Sequence, residues 1–118
     1  MGDSIFDNRA YTQSEPDVAT HLRGLLPYSA NVTVCAIDGS VTSDLQRQIG
    51  RVPADASHVV VSIRGNDTLR NTDLLTMSVS STAQALSLFR DRIVRFESAY
   101  RKAIEAAVTL RRTVLARF

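Results

Sequence analysis

With 118 residues the chain has the size of one small domain, and a composition of 44% hydrophobic and 22% charged residues excludes disorder, a collagen-like repeat and a disulfide scaffold. No run approaches the roughly 18 apolar residues of a membrane span, the polar start Met1-Gly2-Asp3-Ser4 is unlike a secretory signal, and a single cysteine, Cys35, allows no internal disulfide. The net charge of +2 hides an asymmetry: residues 1–89 carry nine acids and six bases (−3), and residues 90–118 carry eight bases and three acids (+5).

Pro16 followed by residues 17–26 predicts a short helix with Val18, Leu22, Leu25 and Leu26 on one face, stopped by Pro27. Residues 31–37, Asn-Val-Thr-Val-Cys-Ala-Ile, are β-branched and nearly continuously apolar, as in a strand buried on both faces. Asp38-Gly39-Ser40 is a turn. Thr42 or Ser43 caps a second helix in which Leu45 and Ile49 share a face and which Gly50 ends; residues 53–57 follow as a loop. Residues 58–63, His-Val-Val-Val-Ser-Ile, predict a strand, and the polar residues 64–73, with Gly65, a loop leaving it. From residue 82 to 110 the apolar period is helical: Leu86, Phe89, Ile93, Phe96, Tyr100, Ala103, Ala107 and Leu110 alternate spacings of three and four. Residues 113–118 start a third strand. Strands alternating with helices imply an α/β fold, a parallel sheet with helices on its faces and right-handed crossovers. There is no internal repeat, no low-complexity segment and no interior linker, so residues 1–118 form a single domain.

The basic residues Arg90, Arg92, Arg95, Arg101, Lys102, Arg111, Arg112 and Arg117 read as a solvated helix face. They lack the aromatic interleaving of single-strand binders, so no nucleic-acid partner is expected. The heptad stripe of that helix reads as a sheet-packing face. If strands are missing, apolar surface stays exposed, and a homo-oligomer forms through helix 82–110 or through sheet edges.

In a parallel α/β sheet, chemistry gathers at the carboxyl ends of the strands. Three polar motifs map there or to the chain start: Gly2-Asp3-Ser4, Asp38-Gly39-Ser40 and Gly65-Asn66-Asp67. Together, in this order, they resemble the conserved blocks of the SGNH hydrolase superfamily, the GDSL esterases and lipases. That resemblance implies a three-layer α/β/α, flavodoxin-like domain, incomplete here. It implies a serine hydrolase cleaving carboxylic esters, with Ser4 as nucleophile and an oxyanion hole made of the N–H groups of Ser4 and Gly39 and the side-chain amide of Asn66. Asp3 and Asp67 are supporting residues. Such donors matter because acyl transfer builds negative charge on the carbonyl oxygen, and losing one typically costs about 2.7–4 kcal/mol of transition-state stabilisation.

The chain departs from that pattern in three places. No Asp-x-x-His occurs in it, so the family's general base and its orienter are missing and activity is impaired. The strand that precedes Gly-Asp-Ser in the family is absent, which predicts Ser4 on a free end. Arg64 stands where the third block has its first glycine. The domain therefore reads as trimmed at both ends. The two histidines are expected away from the site, His21 on the first helix and His58 at the start of a strand. Asp3, Asp7, Asp38 and Asp67 are nearer, but a carboxylate with an ordinary pKa of ~4 is a weak base toward serine. Cys35 reads as a small buried apolar group. No metal-ligand spacing and no Gly-rich phosphate loop occurs, so neither metal nor cofactor is expected. The partner is a small-molecule, lipid or acylated ester substrate, and the default location is the cytoplasm. The competing reading is a noncatalytic, self-associating remnant of the same fold.

Overall fold

The computed structural model describes residues 1–116. Strand β1 (His58–Val61) forms where β-branched residues alternate between the two sides of an extended chain. Val59 and Val61 are buried, as is Ile63 just beyond, while His58 and Val60 are exposed. β1 pairs in parallel with β2 (Thr113–Ala116), His58 opposite Thr113 and Val61 opposite Ala116. The third predicted strand is thus present over residues 113–116, and its residues 117 and 118 lie outside the described residues.

The other edge of β1 is taken by the first three residues. The Met1 amine donates to the Val60 carbonyl at 2.7 Å, the Ser62 N–H to the Met1 carbonyl at 3.2 Å, and the Asp3 N–H to the Ser62 carbonyl at 3.2 Å. Burial lowers the pKa of that amine. On the far side the Ile37 N–H donates to the Gly2 carbonyl at 3.2 Å. The backbone order across this edge is therefore residues 35–37, residues 1–3, β1, β2. Ser4 is not on a free end: it follows a segment pinned on both sides, because the first residues supply the hydrogen bonds of the edge they occupy. Gly2 makes this possible, with φ at +139° and a position where a Cβ would lie 1.9 Å from the Ser62 carbonyl oxygen.

The expected strand over residues 31–37 does not form a ladder. Cys35 and Ala36 are buried, but among the described residues the one backbone bond of this segment to the sheet is that of Ile37. A strand needs a neighbour along its length, and the first three residues reach only its last turn-side residues.

Helix α1 (Val18–Leu25) is capped by Asp17, whose carboxylate accepts the Thr20 N–H at 2.7 Å. It buries Ala19 rather than its predicted leucine face; Leu25 is 83% exposed. A 3₁₀ turn at Thr42–Asp44 leads into α2 (Leu45–Ile49), and the Asp44 carboxylate closes the turn by accepting the Val41 N–H, which lowers its pKa. The predicted loop 64–73 is instead largely helical: α3 (Gly65–Leu69) is followed by a 3₁₀ turn at Thr72–Leu75. Its apolar residues are too few to show a period; side-chain bonds such as Asn71 to the Asp67 carbonyl hold it. α4 (Thr82–Val108) begins at Ser81, whose hydroxyl accepts the Gln84 N–H.

The core joins Met1, Cys35, Leu45, Val59, Val61, Ile63 and Ala107, with Tyr100, Ala103, Ile104 and Leu110 of the α4 end packed against it. Only the second half of the α4 stripe covers the sheet. In the first half Leu86 and Ile93 are 64% and 61% exposed, because no strand lies beneath them. A helix of 27 residues is about 40 Å long. The radius of gyration is accordingly 17.2 Å, against about 13–14 Å for a compact chain of this size. Among the described residues the protein is mixed α/β, with four α-helices and a two-stranded parallel sheet, and no helix is long and apolar enough to cross a membrane.

Gly2→Ala tests the pinned edge. The clash with the Ser62 carbonyl and the left-handed φ should cost about 3 kcal/mol, lowering the urea midpoint by about 1–2 M.

Candidate functional site

The turn after the pinned edge carries Ser4. The Asp3 carboxylate, itself buried, shapes it by accepting the Ile5 N–H at 3.1 Å, while the Asp3 carbonyl accepts the N–H groups of Phe6 and Asp7. The other Asp3 oxygen accepts the Arg64 N–H at 3.4 Å, a long bond that ties this turn to the start of α3. One carboxylate thus spans two of the three motifs.

A hollow of about 290 Å³ opens between them, lined by Ser4, Ser62, Arg64, Gly65, Asn66 and Leu69 among others. Ser4 and Asn66 share it. Asn66 is oriented from below: its side-chain N–H donates to the Ser40 carbonyl at 2.9 Å. An amide nitrogen carries two hydrogens, so the second remains for another acceptor. Asp67 turns the opposite way, its carboxylate accepting both the N–H and the hydroxyl of Thr42, at 2.9 and 2.8 Å. It braces α3 on the turn that opens α2. The Asp67 carbonyl accepts from Asn71, and Asn71 in turn accepts from Arg92 of α4 at 2.8 Å.

The middle motif meets the third through Ser40, which accepts from Asn66, and not through Gly39. Gly39, with φ at +76°, occupies an exposed turn that only a residue tolerant of the left-handed region fits, and it does not line the hollow. That turn is held by the first motif's loop: the Asp7 carboxylate accepts the Asp38 N–H at 2.9 Å, and the Tyr11 hydroxyl donates to Asp38 at 2.5 Å, which raises the Tyr11 pKa. Arg64 is exposed and lines the hollow.

Sequence reasoning missed Gln48. It is 0% exposed, and its carboxamide faces Gly2 on both sides: Oε1 accepts the Gly2 N–H at 2.6 Å and Nε2 donates to the Gly2 carbonyl at 2.7 Å, with a further bond to the Ser40 hydroxyl at 3.2 Å. The side chain of α2 thereby does what a neighbouring backbone would do, and it joins the first motif to the second. The available signal was its spacing, three residues after Leu45 and so on the core-facing side of α2.

The histidines lie elsewhere. His58 opens β1 and contacts the Ser57 hydroxyl, whereas the hollow lies past the other end of that strand, about 13 Å along. His21 is exposed on α1. Cys35 is buried, its thiol 3.4 Å from the Arg51 carbonyl. No cluster of metal-ligating side chains occurs among the described residues.

Compared with known proteins, the chain matches no family model, no curated protein and no solved structure. The site is therefore read from its own geometry: a hydroxyl and an oriented amide on one small hollow, bordered by an arginine, with buried polar side chains satisfied around it. Among the described residues no buried side-chain nitrogen or oxygen lacks a partner.

Gln48→Leu removes the clamp while keeping the volume. The Gly2 carbonyl keeps the Ile37 N–H, but the stranded Gly2 N–H should lower stability by about 1–3 kcal/mol in urea unfolding. Gln48→Glu should be destabilising too, since a carboxylate cannot donate to the Gly2 carbonyl.

Proposed function

We propose that the chain is a carboxylic-ester hydrolase of the GDSL type with impaired turnover, acting on short acyl esters. The observation that carries this reading is the shared hollow, which brings Ser4 of the first motif and Asn66 of the third to one cavity. The Ser4 oxygen attacks the acyl carbonyl, whose oxygen takes the negative charge; the bond to the alcohol oxygen breaks, the hydroxyl proton passes through solvent to the departing alcohol, and water then cleaves the acyl–serine bond to release the acid and restore the Ser4 hydroxyl. The reading assigns that charge to the Ser4 N–H and the second Asn66 amide hydrogen; Gly39, the third expected donor, stands on an exposed turn outside the hollow. The hollow, about 290 Å³, is at the lower end of ligand pockets and suits an acetyl-sized group better than a lipid chain. Among the described residues no histidine borders it, so the rate is held to the part that positioning and the oxyanion donors supply. The same reading takes the pinned edge, β1 and β2 as the centre of a three-layer α/β/α domain.

Hydrolysis of a chromogenic acetate ester tests it. Slow release above the buffer rate is expected, lost in Ser4→Ala and reduced about 100-fold in Asn66→Ala. Equal rates for the unaltered chain and Ser4→Ala remove Ser4 from the mechanism.

A second reading, a noncatalytic self-associating domain, is favoured by one observation. The first half of α4 presents Leu86, Phe89 and Ile93 at heptad spacing, all exposed. Two such helices in contact would bury this stripe. A dimer is expected by size-exclusion chromatography with light scattering, and Leu86→Asp with Ile93→Asp should return it to monomer. A monomer at all concentrations before substitution rejects this reading.

A further inference from the structure

We infer that Arg64 selects the substrate at the hollow, and that the substrate is a short acyl ester of an alcohol that carries a carboxylate; this rests on the ester reading of the same hollow. The depth of the hollow decides which half of the ester meets Arg64. Asp3 and Ile63 line it and are buried, so they form its floor; Ser4 and Asn66 are half-buried, and Arg64 and Leu69 are exposed at its mouth. A carbonyl held by Ser4 and Asn66 has its small acyl group toward the floor. Its alcohol then lies toward the mouth, the side from which an alcohol can leave. The part of the substrate that passes Arg64 therefore belongs to the alcohol.

Arg64 is held at its root and open at its head. Its N–H donates to the Asp3 carboxylate at 3.4 Å, and its carbonyl accepts the Thr68 N–H at 3.3 Å. Among the described residues its guanidinium donates no hydrogen bond and makes no ion pair. Arg92 of α4, by contrast, is taken up by Asn71 and Asp73. Asp3, the one acid among the described residues that line the hollow, does not serve as a partner for the head. One of its oxygens accepts the Ile5 N–H and the other the Arg64 N–H.

A guanidinium keeps its charge at any working pH and presents its donors as a planar fork, which matches the two oxygens of a carboxylate. The Asp3 charge in the same hollow disfavours a second negative charge on the ligand, which favours a carboxylate over a phosphate monoester. Leu69, at the same mouth, offers apolar surface to the carbon frame between ester and carboxylate. Such a substrate is fixed at two places, the carbonyl by Ser4 and Asn66 and the carboxylate by Arg64. An uncharged alcohol is fixed at one and leaves the guanidinium to water.

The probe is para-nitrophenyl acetate carrying a carboxylate on the ring beside the nitro group, compared with the matching carboxamide, which has nearly the same shape and no charge. Nitrophenolate release is followed, each rate taken over its rate in buffer. The carboxylate should exceed the carboxamide in kcat/KM at least about tenfold, and added sodium chloride should shrink that preference in the unaltered chain. Arg64→Gln should bring the ratio of the two esters to about one, and Arg64→Lys should keep part of it, since the charge survives and the fork does not. Equal kcat/KM for the two esters in the unaltered chain overturns the inference, as does a preference that survives Arg64→Gln. An arginine that only offset Asp3 would lower stability in urea on substitution and leave the esters equal from the start. If Ser4→Ala hydrolyses both esters as fast as the unaltered chain, the ester reading has failed and binding decides on Arg64. The Asn66 side-chain amide is then followed by NMR during titration with the two phenol products, the hydroxy-nitrobenzoate and the hydroxy-nitrobenzamide. At least about tenfold tighter binding of the benzoate, lost in Arg64→Gln, upholds Arg64 as the carboxylate-binding residue; equal binding or none overturns it.

Discussion

The insertion of three residues beside β1 is the constraint on which the remaining structure depends. Met1, Gly2 and Asp3 contribute hydrogen bonds to both sides, and only glycine in the middle permits the approach, since any side chain would collide with Ser62. Every later feature is placed relative to this edge. The Asp3 carboxylate reaches forward to Arg64, Gln48 rises from α2 to hold Gly2, and Met1 and Cys35 join the same core as the valines of β1. The hydrophobic terms here are modest. The fully buried side chains are few, so polar contacts between distant segments carry a larger share of the specificity than they would in a thicker sheet.

That arrangement explains how a small fold holds polar motifs together at one rim. Asn66 joins the third motif to Ser40 of the second, Asp67 reaches Thr42 just after the second, Asp3 reaches Arg64 just before the third, and Asp7, just after the first, holds Asp38. Each link pairs a side chain from one of these segments with the backbone of another. Such bonds need no large apolar area, and they orient their donors and acceptors closely. Most of the acidic residues at this rim are thereby committed to backbone N–H groups, which is structural work rather than proton transfer.

The parts legible in the sequence are those where a local signal and the final environment agree. His58 to Val61 alternates and is half buried; Ser81 and Asp17 cap the helices they precede; Pro27 follows the end of α1. The failures have physical causes. Residues 31–37 have the composition of a central strand, yet pairing is a property of two segments, and the neighbouring one is three residues long. Residues 65–69 lack any apolar period, and their helix is made by side-chain bonds to the backbone that composition does not announce. The α4 stripe predicted one continuous buried face, but burial stops where the sheet stops, leaving Phe89 at 42% exposure and its neighbours more open still. Of the site, residue types and order were readable; that Ser40 rather than Gly39 makes the contact, and that Gln48 lies behind it, depended on geometry across the fold.

The carboxamide of Gln48 also acts as a key for alignment. Side chains and polar groups along an extended segment reverse direction at every residue. If residues 1–3 slid by one position, the groups presented to Gln48 would face away and Met1 or Asp3 would be forced into the space that admits no side chain. A single buried amide therefore sets how far the chain start advances along β1, and with it the height of the Ser4 turn above the sheet. A residue in α2, far from the hollow in sequence, dictates whether hydroxyl and amide arrive at the same level.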